Sequence, residues 1–263
     1  MMLKLLIKKQ LAEIFRSYFY DAKKNKKRSK GSTVLFFVFF ALLMVGLLGG
    51  LFTALSLSIC DNLVPLGLDW MYFALIGLIA VLLGTFGSVF NTYAGLYLAK
   101  DNDLLLSLPI PVRSIILSRL LSVYLMGLLY SGVVTIPAAI VYLIKAPFSA
   151  GVPVGGLLFV VLTSAVVLIL SCVLGWVVAK VSLKLKNKSF ITVLLSLVFF
   201  GAYYFVCFRW QTALQSFLQN AAQIGVSLQK IYPLYVIGLS GTGSWGAMAA
   251  VTAVVLALLT LTW

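Results

Sequence analysis

Between Pro153 and Ala179 the chain carries no charged side chain, and this run is one of six. Long apolar stretches recur at roughly 33–59, 70–92, 115–144, 153–179, 189–208 and 245–263. A helix of about 20 residues crosses a hydrocarbon core ~30 Å thick while satisfying its own backbone hydrogen bonds. Barrel strands would instead alternate polar and apolar residues over about ten positions, and nothing in the chain does so. With 62% hydrophobic and 10% charged residues, there is too little polar matter to clothe a soluble surface. The expected fold is all-α: a polytopic transmembrane bundle of about six spans with interfacial amphipathic helices.

The net charge of +14 is distributed by topology. Ten bases fall within residues 1–30, among them Lys23, Lys24, Lys26, Lys27, Arg28 and Lys30. Lys100, Arg113 and Arg119 follow the second run, and Lys180, Lys184, Lys186 and Lys188 follow the fourth. Lys145, Arg209 and Lys230 fall on the other side if spans alternate. This bias puts the N-terminus and the 93–113 segment in the cytoplasm, and it accounts for the charge without a nucleic-acid partner. Residues 3–19 set Leu3, Ile7, Leu11, Ile14, Phe15, Tyr18 and Phe19 on one helical face, opposite Lys4, Lys8 and Arg16. Residues 1–30 therefore read as a basic amphipathic helix lying in the interface. Lys23, Lys24, Lys26, Lys27, Arg28 and Lys30 would hold anionic lipid headgroups, each contributing about 1 kcal/mol.

Residues 31–263 make the spanning domain. Gly46 and Gly50, like Ala80, Gly84 and Ser88, stand four apart, a spacing that lets helices approach closely. Tyr72, Trp210, Tyr232, Tyr235 and Trp245 are expected in an aromatic belt at the interfaces. The outer segment 211–242 contains an amphipathic stretch whose apolar face includes Leu214, Phe217, Leu218, Ala221, Ile224, Leu228 and Ile231; Pro233 ends it before the last span. Pro137 is expected to kink the third span. The last run stops at Trp263 without the basic flank of the other inward ends, which is expected of the front part of a longer chain.

Several chemistries are excluded. The chain has no histidine, which removes histidine-based zinc sites and Ser-His or Cys-His nucleophile pairs. No acid lies mid-span, which argues against proton- or sodium-coupled carriers. Cys60, Cys172 and Cys207 have no metal or redox spacing and read as buried thiols, although Cys60 and Cys207 share the outer side. "LSIC" at 57–60 has a large residue before its cysteine and too long an apolar run to be a cleaved leader. "GLSGTGS" at 238–244 lacks the lysine of a phosphate loop, and "KGST" at 30–33 lacks the glycine–lysine order. No catalytic constellation can be assembled, and no cofactor is expected on this chain.

One segment stands apart. "LAKDNDLLLSLPIPVRSIILSRLLSVY", 98–124, places two of the six acids in a polar step followed by an apolar turn and two prolines. Asp101 or Asp103 suits the first turn of a short helix. Leu104, Leu105 and Leu108 can present an apolar face to a partner groove, and Pro109 ends the helix. The stretch Asp101, Asn102, Asp103, Leu104, Leu105, Leu106, Ser107, Leu108, Pro109 and Ile110 resembles the coupling segment of ABC-2 type permeases, the membrane subunits of one branch of ATP-binding-cassette exporters. It departs from their commoner "E-x-G-T-L-E" form in having "KDNDLL", and it looks closer to a group of bacterial exporter permeases.

The resemblance implies a permease moving an amphipathic substrate across the bacterial cytoplasmic membrane. It implies a separate ATPase subunit that binds ATP and Mg, and pairing with a second permease half or a second copy. It makes Asp101, Asn102, Asp103, Leu104, Leu105, Leu106, Leu108 and Pro109 the ATPase-coupling residues. The alternative is a non-transporting membrane scaffold or immunity-type protein, in which these leucines dip into lipid and the acids only cap.

Overall fold

A computed structural model describes residues 29–97, 111–147, 149–184 and 220–261, together with 5–7, 9, 20–21, 26–27, 107, 197, 201, 204, 209 and 216. Within these residues the chain is helical apart from one two-residue ladder. Its strands, β1 (Tyr20–Asp21) and β2 (Lys26–Lys27), pair antiparallel, with Tyr20 opposite Lys27. The expected arm helix is thus helical at 5–7 and 9 and gives way to a hairpin by Tyr20. Leu6, which the predicted apolar face left out, is buried against Ile115.

The first long helix runs through three pieces: α1 (Lys30–Ala41), a π-helical segment (Leu42–Gly49) and α2 (Gly50–Leu63). Val64-Pro65-Leu66 tightens into a 3-10 turn, because Pro65 has no N–H with which to continue an α-helix. Gly67 then reverses the chain at φ +68°, a conformation that a β-carbon disfavours. The second long helix, α3 (Asp69–Thr92), begins with Asp69 in its first turn, where a carboxylate suits the helix dipole. It ends in a second π-helical stretch, Tyr93–Tyr97.

Pro111 opens α4 (Val112–Lys145), which continues through Pro137 and stops at Ala146, held extended before Pro147. Next come α5 (Gly151–Lys184), α6 (Ala221–Gln229), α7 (Tyr232–Gly241) and α8 (Trp245–Leu261).

Helices α3, α4 and α5 pack on one another and form the centre of the bundle. Among the described residues four helices are long and apolar enough to cross a membrane: Thr33–Leu66, Asp69–Tyr97, Val112–Lys145 and Gly151–Lys180. The pair α7–α8 makes a fifth if it is counted as one span, bent by 118°. At about 1.5 Å per residue, α7 alone is too short to cross. The run 189–208, expected to be a span, falls almost wholly outside the described residues.

The core concentrates at the end of the bundle away from the arm. There Phe73 lies edge-on to Tyr72, Tyr142 and Phe159, with ring centroids 4.7–5.1 Å apart. Edge-to-face pairs of this kind each contribute ~0.5–1.5 kcal/mol beyond simple burial. Tyr72 was expected at the membrane interface, but it is fully buried. Its hydroxyl donates to the Ala138 carbonyl at 2.8 Å, which removes the need for water. Trp245 and Tyr232 are 66% and 72% exposed, as a belt position requires. Trp210 lies outside the described residues. Cys60 is buried and free.

The outer segment also differs from a simple surface helix. Pro233 sits in the first turn of α7 and so begins a helix as well as ending one. The glycines of 238–244, read as loop residues, serve close packing. A β-carbon at Gly238 would strike the Trp70 carbonyl, and one at Gly241 the Phe73 ring. Gly243 turns the chain at φ +97° against the backbone of Gly151. Helix α8 then runs along α5, burying Val251 and Val255 beside Leu162 and Ala165.

Candidate functional site

The coupling residues proposed from sequence, Asp101, Asn102, Asp103, Leu104, Leu105, Leu106, Leu108 and Pro109, lie outside the described residues, as do Lys23, Lys24 and Arg28. Lys26 and Lys27 form β2, and Lys30 opens α1. The structure does describe what anchors the segment 98–111 on either side.

Upstream, the π-helical turn Tyr93–Tyr97 carries the anchor. The Tyr97 hydroxyl donates to the Cys172 carbonyl on α5 at 3.0 Å. The ring fits there because position 175 is glycine: a β-carbon would lie 3.2 Å from Tyr97 Cε2 and 3.3 Å from Thr92 Cγ2. Downstream, Arg119 on the second turn of α4 is 5% exposed and donates from Nη1 to the Gly95 carbonyl at 3.1 Å. Arg119 therefore ties the start of α4 to the end of α3, and Tyr97 ties the end of α3 to α5. Leu6 of the arm packs on Ile115, one turn before Arg119. Further along α5, Lys180 sits 3.9 Å over the Trp176 ring, an apolar body and charged tip suited to a membrane boundary.

A second set of ties runs through the middle of the bundle. Ser88 on α3 hydrogen-bonds Ser171 on α5, and Ser131 on α4 hydrogen-bonds Ser164 on α5 at 3.0 Å. All four are fully buried or nearly so. Between the two pairs Val167 is clasped by glycines: a β-carbon at Gly84 would lie 2.8 Å from its Cγ2, and one at Gly127 3.1 Å from its Cγ1. Spans two, three and four therefore form a unit locked at its arm-side end and at its middle. Span one is held differently. Its second half packs on α4, and Asp61 accepts a 2.8 Å ion pair from Lys145 at the far end. Its first half exposes Val34, Leu35, Phe37, Val38 and Phe39, each by half or more.

Sequence reasoning named Arg119 only among the bases that follow the second run and passed over Tyr97, Gly175 and Leu6. Arg119 was legible as a lone base inside an apolar run. Nothing local marks Tyr97, whose partner is 75 positions away.

Among the described residues no cluster of three or more metal-binding side chains forms. The four or five long apolar helices among the described residues have the length and composition of the spans of a multi-pass membrane protein. Compared with known protein families, curated proteins and solved structures, the chain matches none of them.

Proposed function

We propose that the chain is the permease subunit of an ATP-binding-cassette exporter, with residues 101–109 of the cytoplasmic coupling segment 93–113 as the contact for a separate ATPase that binds ATP and Mg. One observation carries the reading: the segment's two anchors are tied to each other and to α5, by Arg119 to Gly95 and by Tyr97 to Cys172. A docking element transmits a partner's rigid-body movement only if its base does not give way. A push on 98–111 would enter α3 and α4 together and reach α5 through Tyr97 and the serine pairs. The "KDNDLLLSLP" resemblance supplies the class of partner. In this reading the cargo is amphipathic, the membrane is the bacterial cytoplasmic one, and a second permease half or a second copy completes the pathway.

The test is a pull-down of the tagged chain from its native cells in mild detergent, with bound ATPase activity as the readout. Wild type is expected to bring down an ATPase, and Leu105→Glu to lose it at unchanged chain level. If no ATPase accompanies wild type under conditions that preserve other exporter complexes, the permease reading fails and the scaffold reading takes its place.

A further inference from the structure

Span one and α4 do not close on each other along their whole length. Between them lies a half-open groove of about 500 Å³ whose lining includes Gly46 and Gly50 on one wall and Pro137 and Ile140 on the other, with Lys145 at its far end. The wall on span one is low because side chains are missing there. A β-carbon at Gly46 would meet only its own neighbour Leu42 at 4.0 Å, and one at Gly50 would meet nothing within 4 Å. The π-helical segment Leu42–Gly49 forms part of this wall, and such segments recur at functional positions.

Three properties define the occupant. The groove is lined mainly by apolar side chains and lies between two helices long and apolar enough to cross a membrane. Its wall on α4, from Ile136 to Lys145, rises about 13.5 Å at ~1.5 Å per residue. That is close to one leaflet, half of a hydrocarbon core ~30 Å thick. At its far end the lining residue Lys145 forms an ion pair, Nζ to Asp61 Oδ1 at 2.8 Å, with both side chains about half exposed. A headgroup carrying one positive and one negative charge complements such a pair, with phosphate on Lys145 and ammonium on Asp61. A purely anionic headgroup would meet the Asp61 carboxylate.

We infer that this groove is a binding site for one acyl chain of a zwitterionic phospholipid in the leaflet opposite the basic arm. The chain lies where side chains of span one would otherwise be and is contacted by both walls. The exposed side chains Val34, Leu35, Phe37, Val38 and Phe39 of span one form no such two-walled groove among the described residues. The site requires membrane insertion and does not depend on the permease reading, so the ATPase pull-down can fail without affecting it.

The experiment uses the full chain in nanodiscs doped with a phosphoethanolamine lipid bearing a photoactivatable acyl chain, or with a phosphoglycerol lipid so labelled. Adducts are mapped by peptide mass spectrometry. The expected result is enrichment on 45–57 and 136–145 over 34–39, stronger for the phosphoethanolamine probe. Gly50→Leu, at a position where a β-carbon meets nothing within 4 Å, places a side chain in the groove and is expected to lower groove adducts about tenfold while sparing those on 34–39. Lys145→Gln is expected to keep the acyl adducts and abolish the headgroup preference. Equal labelling of both faces, or groove labelling undiminished by Gly50→Leu, would overturn the inference. So would a disulfide-linked dimer formed by oxidised Gly50→Cys and absent from wild type, since a second copy would then occupy the groove.

Discussion

Gly84 offers the sharpest test of how the three central spans are locked. A β-carbon there would stand 2.8 Å from Val167 Cγ2, 3.1 Å from Val167 Cγ1 and 3.2 Å from Ser131 Cβ. Ordinary contact begins at 3.4 Å, so Gly84→Ala intrudes by about 0.6 Å on a β-branched side chain with few rotamers. Val167 cannot retreat, because Gly127 already presses it from α4 with a prospective contact of 3.1 Å. The helices must therefore part, or the valine must leave its rotamer, and overpacking of this kind costs about 1–3 kcal/mol. Taking ~2 kcal/mol, thermal unfolding in detergent should move down by about 4–8 °C. A thiol-reactive fluorophore reports the transition, since Cys60 is only 1% exposed in the folded chain. Gly50→Ala, where nothing lies within 4 Å, is the matched control and should leave the midpoint unchanged or raised. Adding Val167→Ala to Gly84→Ala should recover part of the loss, giving coupling of opposite sign to the single effects. If Gly84→Ala unfolds at the same temperature as Gly50→Ala, the clasp around Val167 is refuted.

Two further outcomes follow from buried hydroxyls. Tyr72→Phe keeps the aromatic packing and removes the hydroxyl with its 2.8 Å bond to the Ala138 carbonyl, so it should cost about 1 kcal/mol in the same unfolding assay. No change would mean that the bond adds nothing to the burial. A double-mutant cycle on Ser88→Ala and Ser171→Ala should show a coupling of about 0.6 kcal/mol, with ~1.7 as a ceiling for interhelical bonds in membranes. Additive losses would sink the tie between α3 and α5.

Legibility in the sequence followed the range of the interaction. Spans one to four appear at nearly the boundaries that apolar run length set, because the bilayer tests each helix on its own sequence. Turn chemistry was local too: Pro65 with Gly67, and Ala146 with Pro147, end helices where their backbone preferences require it. Partner-dependent features were not. Tyr72 looks like a belt tyrosine until Ala138, 66 positions away, accepts its proton. The glycines of "GLSGTGS" look like a loop until Trp70, Phe73 and Gly151 come up against them.

The small-residue spacing shows the division most clearly. Gly46 and Gly50 carry the same four-residue pattern as Gly84 and Ser88. In α3 it brings α4 and α5 into contact, whereas in span one it leaves a groove. The sequence by itself determined that these helices are apolar and membrane-long, since hydropathy and backbone preference belong to each segment alone. Only the tertiary structure decided which glycines meet a neighbour, which hydroxyls pair and where the bundle stays open. A close approach is a property of two surfaces, and each segment of the sequence records only one of them.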